Sequence, residues 1–395
     1  MAGSERARED LVSRRSSLRA FWACLPLPFL AAAYVAGRAQ GGSWSPFDPA
    51  MVDLQAIIGA AQRLLEGSPL YGVDGTPFSM PPVVALLAVP LAVLGVDAAE
   101  VLWVLLTAAL VCQGLIRPVL GRLGTGFGPT SPWVPLVGAL VIALAAPVKD
   151  NFSLGQVTVI VACLLLADAS VPVTRLGLPR GVLTGIAAAV AIFPAAVILT
   201  WLCVPRSRRA GFVALFTAAA LTLITWLLAP ASSARYFAAA LTGGHLAEDN
   251  ALDRSSNGSL AAIVHRVTDG ESATVLTIVL VAVVVGAAVL AGWALASEGH
   301  QLLAMLTAAL GGVAAMPLAF PHAWVLAIVL AAVVVTGRYR PGWQLCAAVL
   351  GVWAVVMPVN RVSGSELVAA GTAIGVIAWL CVVSFGLRRR PVSAR

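Results

Sequence analysis

Val275–Ala296 reads VLTIVLVAVVVGAAVLAGWALA, a stretch without a single charge. A bilayer's hydrocarbon core is about 30 Å thick and takes about 20 helical residues to cross, so this stretch is a transmembrane helix by length. In lipid every backbone polar group must be satisfied internally, which admits helices and closed barrels. A barrel strand would alternate apolar and polar side chains, and no alternation occurs here. Further apolar runs follow the same logic: Phe21–Gly37, Val83–Gly95, Val101–Ile116, Trp133–Ala146, Val157–Ala167, Gly181–Val204, Gly211–Leu228, Leu302–Met316, Trp324–Val335, Leu345–Met357 and Leu367–Phe385. Composition agrees, with 60% hydrophobic and 11% charged residues and a mean hydropathy of +0.93. A soluble domain carries about 25% charged residues. The expected fold is all-α: one polytopic transmembrane domain over residues 1–395, with about 10 to 12 crossings.

The net charge of +7 follows this topology and does not call for nucleic acid. Basic residues collect ahead of the first run (Arg6, Arg8, Arg14, Arg15, Arg19), at Arg206, Arg208 and Arg209, at Arg338 and Arg340, and after the last run (Arg388, Arg389, Arg390, Arg395). Such clusters mark cytoplasmic segments, which places both termini inside the plasma membrane and requires an even number of crossings. The first run is read as a retained anchor, because Pro26 and Pro28 interrupt it and further spans follow. The six cysteines lie in or beside apolar runs without metal-ligand spacing, and are read as packing residues. No metal site and no cofactor are expected; whether a divalent ion assists stays open.

Counting every run as a span gives twelve crossings but puts Arg175 and Arg180 outside. If Pro194 instead splits Gly181–Val204 into a re-entrant pair and Trp133–Ala146 returns to its own side, ten crossings remain. Arg175 and Arg180 then fall inside and Gly155-Gln156 reaches the outer face, and this version is preferred. Asp97, Glu100, Asp168 and Glu298 are expected in solvated turns at cytoplasmic ends. Lys149-Asp150 reads as an ion pair at a helix end.

Two segments, 38–82 and 230–273, are long enough to build structure on the outer face. In the first, Leu54, Ile57, Ile58, Ala61, Leu64 and Leu65 recur at helical spacing opposite Gln55, Gln62, Arg63 and Glu66. The spacing predicts an interfacial helix that starts at Asp53 and ends at Gly67-Ser68-Pro69.

A series of short motifs follows in order. Val52-Asp53-Leu54 opens the interfacial helix, Leu70-Tyr71-Gly72 follows it, and Pro77-Phe78-Ser79-Met80-Pro81-Pro82 leads into an apolar run containing Pro90. Then come Leu154-Gly155-Gln156, Pro194, Ala234-Arg235-Tyr236-Phe237, Asn257-Gly258-Ser259-Leu260, Arg266 and Pro321-His322-Ala323-Trp324. This order resembles glycosyltransferase family 87, the polyprenyl-phosphate-sugar-dependent membrane transferases of actinobacteria, over roughly residues 50–330. Its mannosyltransferases of phosphatidylinositol mannoside and lipomannan synthesis look closest. The sequence departs from the family pattern at Met80 (a tyrosine there), Ala191 (lysine), Gly258 (glutamine) and Ala323 (histidine).

The resemblance implies a GT-C type fold and inverting transfer of a sugar, mannose first, from a polyprenyl-phosphate donor to a glycolipid or lipoglycan acceptor at the outer face. Asp53 would be the general base. Physical chemistry supports the choice: a lipid phosphate leaves readily, so the protein chiefly supplies one carboxylate for the attacking hydroxyl and positive groups around the phosphate. Taken alone, Asp53 reads as a helix N-cap, and Asp48 is the next carboxylate in line. His322 is read as a donor or acceptor contact, or else as a span cap. Arg235, Arg254 and Arg266 are candidates to grip a phosphate, or solvated loop charges. Gln156 and Asn257 are candidate sugar-hydroxyl partners, or backbone caps. Transfer of arabinofuranose, lipid or sugar transport, and a catalytically silent scaffold are the other readings. No charged residue near the middle of a clear span and no inverted repeat speak for transport.

Overall fold

The structure is a computed structural model that describes residues 51–72, 77–116, 141–170, 177–242, 252–268, 271–357 and 366–388. Asp48, the first apolar run with the arginines before it, Arg389, Arg390 and Arg395, and most of Trp133–Ala146 lie outside those residues. Among the described residues every regular element is helical. Three helices are long and apolar enough to cross a membrane: Val96–Ile116, Arg208–Leu228 and Ala273–Ser297. Five shorter apolar helices accompany them, Thr158–Ala169, Gln301–Ala315, Pro321–Thr336, Pro341–Val356 and Ala370–Gly386. The chain is an all-helical polytopic membrane protein.

Helix α1 (Val52–Leu65) packs its Leu54, Ile57, Ile58 and Ala61 face into the protein. It is the amphipathic helix expected from the spacing, and the chain leaves it through Gly67 at φ +69°. Val83–Gly95 is not a span. Pro90 is tolerated only in a first helical turn, and the run divides at Ala88 into two six-residue helices, α2 (Pro82–Leu87) and α3 (Val89–Leu94), both packed on α1. At 1.5 Å per residue each is about 9 Å long, far short of a bilayer core. The first long helix, α4 (Val96–Leu110), continues through a π-helical turn to Ile116.

After α5 (Ala146–Leu154) and α6 (Thr158–Ser170), Gly181–Val204 forms two nine-residue helices, α7 (Val182–Val190) and α8 (Ala195–Cys203), broken by extended Ala191 and Pro194. Both outer ends rest on the start of α9 (Arg208–Leu228). A Cβ on Gly181 would strike the Ala210 carbonyl, and one on Gly211 would meet the Leu202 nitrogen at 2.9 Å. The Arg180 guanidinium lies 5.1 Å from the Trp201 ring centroid, so the pair enters and leaves on one side. This is the re-entrant geometry expected from Pro194.

Helices α10 (Pro230–Thr242) and α11 (Leu260–Val267) follow, then the antiparallel pair α12 (Glu271–Ser297) and α13 (Gln301–Ala315). A 3-10 turn, Pro321–Trp324, opens α14 (Val325–Thr336), and α15 (Pro341–Val356) and α16 (Glu366–Arg388) complete the bundle. Helix α13 is the axis, buried along nearly its whole length. Gly311 sits against Ala288 of α12 and Gly312 against the Phe193 carbonyl between α7 and α8, contacts too close for any side chain. Helices α9 and α12 turn most of their apolar surface outward, with only 17% and 22% of their spanning windows buried.

The bundle has two distinct ends. One carries α1, α5, α10, α11 and the 3-10 turn. The far end carries the end of α6, the start of α7 and the α8–α9, α12–α13 and α14–α15 connections. Asp168 at the far end is not solvated as expected. It is 1% exposed, and its carboxylate accepts from the Gly181 N–H, the Thr184 N–H and the Thr184 hydroxyl at 2.8–3.0 Å. The charge is sheltered because it satisfies the free N–H groups at the start of α7. Glu100 departs from expectation as well. It is 3% exposed and accepts from Gln55 of α1 at 3.2 Å, which places the start of α4 at the α1 end.

Candidate active site

The site end is built around the start of α1. Met51, at φ +46°, directs its N–H to the Ser153 carbonyl of α5 at 2.8 Å. Helix α5 then ends on Gly155 in the left-handed region, φ +73°, where a Cβ would come within 2.5 Å of the Leu54 Cβ. Glycine lets α5 stop directly under α1, and the next residue faces the helix start. There Gln156 Nε2 donates to Asp53 Oδ2 at 2.6 Å. Asp53 lies in the first turn of α1, where the helix dipole favours a carboxylate, and is half-buried. The two motifs quoted as Val-Asp-Leu and Gly-Gln, remote in the chain, thus make one unit.

His322 belongs to the same neighbourhood. Its 3-10 turn packs on α5, and its carbonyl accepts from Asn151 Nδ2 at 3.2 Å. The imidazole is 9% exposed, and its Nδ1 is buried without a hydrogen-bond partner. Such a group is costly unless something completes it.

Asn257, Arg254 and Arg266 form a second cluster. Asn257 is fully buried. Its Nδ2 donates to the Pro317 carbonyl at 3.1 Å, and its Oδ1 accepts from the N–H groups of Ser259 and Ala319 at 3.2 and 3.0 Å. Ser259 caps α11, accepting from the Ala262 N–H at 3.0 Å, and donates to Pro317 at 2.8 Å. Arg266 Nη1 reaches the carbonyls of Leu252, Arg254 and Asn257 at 3.0–3.2 Å. These groups stitch the loop before α11 to the 317–319 segment that leads into His322. Asn257 therefore acts on main chain, as its cap reading has it, while the Arg254 side chain is exposed.

Arg235 stands in a third place. On α10, it donates from Nη1 to the Tyr71 carbonyl at 3.1 Å, and its guanidinium covers Gly72, whose Cβ position lies 2.5 Å from Nη2. Ser232 accepts from the Leu70 N–H at 3.1 Å, and the Tyr71 hydroxyl donates to the Met80 carbonyl at 2.7 Å. Tyr71 stacks between Phe78 and Tyr236, with centroids 5.4 and 6.0 Å away. Burial pushes the Tyr71 and Tyr236 phenols well above their ordinary range, so both stay neutral. The aromatic clasp joins the Tyr-Gly, Pro-Pro and Arg-Tyr-Phe motifs and leaves the Arg235 side chain exposed at the rim. Asp150, on α5, has its carboxyl raised by burial, with Lys149 acting the other way.

The arrangement offers a held carboxylate, an unsatisfied buried imidazole and rim guanidinium groups at one end of a membrane bundle. Among the described residues no group of three or more His, Cys, Asp or Glu side chains is placed to hold a metal ion. The sequence profile of glycosyltransferase family 87 matches residues 78–321, more than half of the chain. The chain belongs to glycosyltransferase family 87. It is 29% identical over 343 residues to a polyprenol-phosphate-mannose-dependent alpha-(1-2)-phosphatidylinositol mannoside mannosyltransferase of Mycobacterium tuberculosis, covering 80% of this chain and 77% of that one. The enzyme of the same description from Mycolicibacterium smegmatis is 27% identical over 308 residues, 70% and 68% of the two chains. A pentamannoside mannosyltransferase of M. tuberculosis is 26% identical over 287 residues, 69% and 64%. No solved structure matches the chain. Family membership makes this protein a membrane glycosyltransferase, and the match spans Gln156, Arg235, Arg254, Asn257 and Arg266 and ends one residue before His322.

Sequence reasoning missed Asn151 at this end and named Gln55 and Glu100 without bringing them to it. Asn151 left one signal, a polar side chain beside long apolar runs and just before Gly155-Gln156.

Proposed function

We propose that this protein transfers a mannosyl group from a polyprenyl-phosphate carrier to a glycolipid of the phosphatidylinositol mannoside type, at the outer face of the plasma membrane and with both termini in the cytoplasm. The Gln156–Asp53 contact carries the reading. It holds a carboxylate at the boundary end of the bundle, where two lipid-anchored substrates can meet. Asp53 takes the proton from an acceptor hydroxyl as that oxygen bonds to the anomeric carbon. The bond from that carbon to the phosphate oxygen breaks in the same displacement, and polyprenyl phosphate leaves with the electron pair. A single displacement inverts the anomeric configuration. The accessible edge of the His322 ring contacts the sugar or the phosphate, and the rim arginines Arg235 and Arg254 attract the phosphate. The relatives' donor favours mannose over arabinofuranose.

The test is transfer of labelled mannose from polyprenyl-phosphate mannose to lipid acceptor in membranes containing the parent or Asp53→Asn. The amide keeps the shape and can still bond Gln156 after a side-chain flip, so the protein accumulates normally. Removing a general base lowers turnover by at least about 100-fold. Near-parental transfer by Asp53→Asn places the base elsewhere.

A further inference from the structure

Asn151 stands between the two halves of this site, 0% exposed. Its amide nitrogen donates to the Pro147 carbonyl at 2.7 Å and to the His322 carbonyl at 3.2 Å. Its Oδ1 accepts from the Val159 N–H at 3.1 Å, in the first turn of α6. Its own carbonyl accepts from the N–H groups of Gly155 and Gln156 at 3.1 and 3.0 Å. One residue therefore touches the main chain of Gln156, the partner of Asp53, and the main chain of His322.

Ending α5 does not require this side chain. The left-handed Gly155 and the two bonds to the Asn151 carbonyl already terminate the helix. An aliphatic side chain would fill the space without the desolvation cost of a buried amide. What the amide adds is an acceptor for the Val159 N–H at the start of α6 and the bond to His322, and only the second reaches across 171 residues of sequence.

We infer that Asn151 is a positioning residue of the transfer reaction, which sets the separation between Asp53 and His322 by pinning the 3-10 turn to α5. The inference rests on the roles given to those two residues above. Without the donor, the turn slides on α5 and carries His322 with it, while the Gln156–Asp53 bond remains. A displacement of about 1 Å in a reacting constellation lowers turnover about 100-fold.

Asn151→Asp keeps the volume and the acceptor for Val159 and removes both donations. It is expected to lower kcat about 100-fold with the KM for polyprenyl-phosphate mannose changed less than about 3-fold, the pattern of a contact that matters in the transition state. The discriminating measurement is a double-mutant cycle. In a His322→Ala background, Asn151→Asp should add less than about a 3-fold loss, because the group it places is gone. A general packing defect would multiply the two losses instead, and that result overturns the inference, as does a change confined to KM. Asn151→Ser, which leaves the backbone bonds of α5 intact, runs through the same cycle if the aspartate variant does not accumulate. Failure of both to accumulate makes Asn151 a folding residue and also overturns the inference. Asp53→Asn measured alongside separates the two levels. Retained transfer there removes the assigned base, whereas multiplied losses beside an inactive Asp53→Asn remove only the positioning role.

Discussion

The two ends of the bundle are fastened differently. At the site end, the bonds Gln156–Asp53, Leu70–Ser232 and Asn151–His322 join residues 103, 162 and 171 positions apart. At the far end, the main polar node joins Asp168 to Gly181 and Thr184, only 13 and 16 positions on. Charge divides the same way. Arg180, Arg206, Arg208, Arg209, Arg338 and Arg340 crowd the far end against Asp168 and Glu298, while at the site end Asp53, Glu66, Asp97, Glu100, Asp150 and Asp253 stand against Arg63, Lys149, Arg235, Arg254 and Arg266. The far end adds one longer link, the Ser207 hydroxyl donating to Gln301 Oε1 at 3.3 Å across 94 positions, and its polar fastening is still the shorter-range of the two. The site end exists only when the whole bundle is in place, so damage there should reach turnover, and damage at the far end should reach stability.

The sharpest way to break this contrast is sidedness. In a background without the six native cysteines, Asp253→Cys should react fully with a membrane-impermeant thiol reagent on intact cells, and Arg208→Cys only after lysis. Labelling of position 208 from outside reverses the bundle. Next comes Gly155→Ala. A methyl group would meet Leu54 at 2.5 Å on a backbone at φ +73°, so α1 must shift and take Asp53 with it. Transfer should drop about 100-fold, and undiminished kcat would show that α1 adapts without moving its carboxylate. The smallest effect belongs to Asp168→Asn, which keeps one acceptor oxygen and turns an amide nitrogen toward buried donors. Thermal unfolding of the solubilised protein should reveal a loss of about 1 kcal/mol, with turnover of the folded fraction unchanged. A fall in kcat without a fall in melting temperature would tie the far end to the chemistry.

The sequence made much of this readable because lipid imposes its own grammar. Apolar length predicted helices such as α12, the face of Leu54, Ile57 and Ile58 predicted α1, and Pro194 predicted the returning pair. Charge placement misled where a carboxylate's partner is main chain. Asp168 looks solvated in sequence, since nothing in its neighbours announces that the start of α7 will fold back onto it. Val83–Gly95 has a span's composition, yet Pro90 and contact with α1 divide it into two short helices. Asn257 and Arg266 drew attention as polar motif residues, and they bond main-chain carbonyl and N–H groups, which no residue letter encodes. Asn151 escaped for the same reason. Its importance lies in which backbone it touches, and that is decided only when α5 meets the 3-10 turn.

The returning pair has a consequence for how this protein is made. Gly181–Val204 is long and apolar enough for an insertion machinery that reads hydropathy to thread it across the bilayer. Its resting places are made later: Gly181 and Gly185 lie on Ala210, Ala214 and Thr217, and Phe193 lies on Gly312. More than a hundred residues separate Val204 from Gly312, so the nascent chain carries this segment for many seconds of synthesis before its last partner emerges. If the segment stays threaded, every later helix enters the membrane upside down. The contacts of Gly181 and Gly185 with Ala210, Ala214 and Thr217 can form first, because α9 follows the pair directly in the chain.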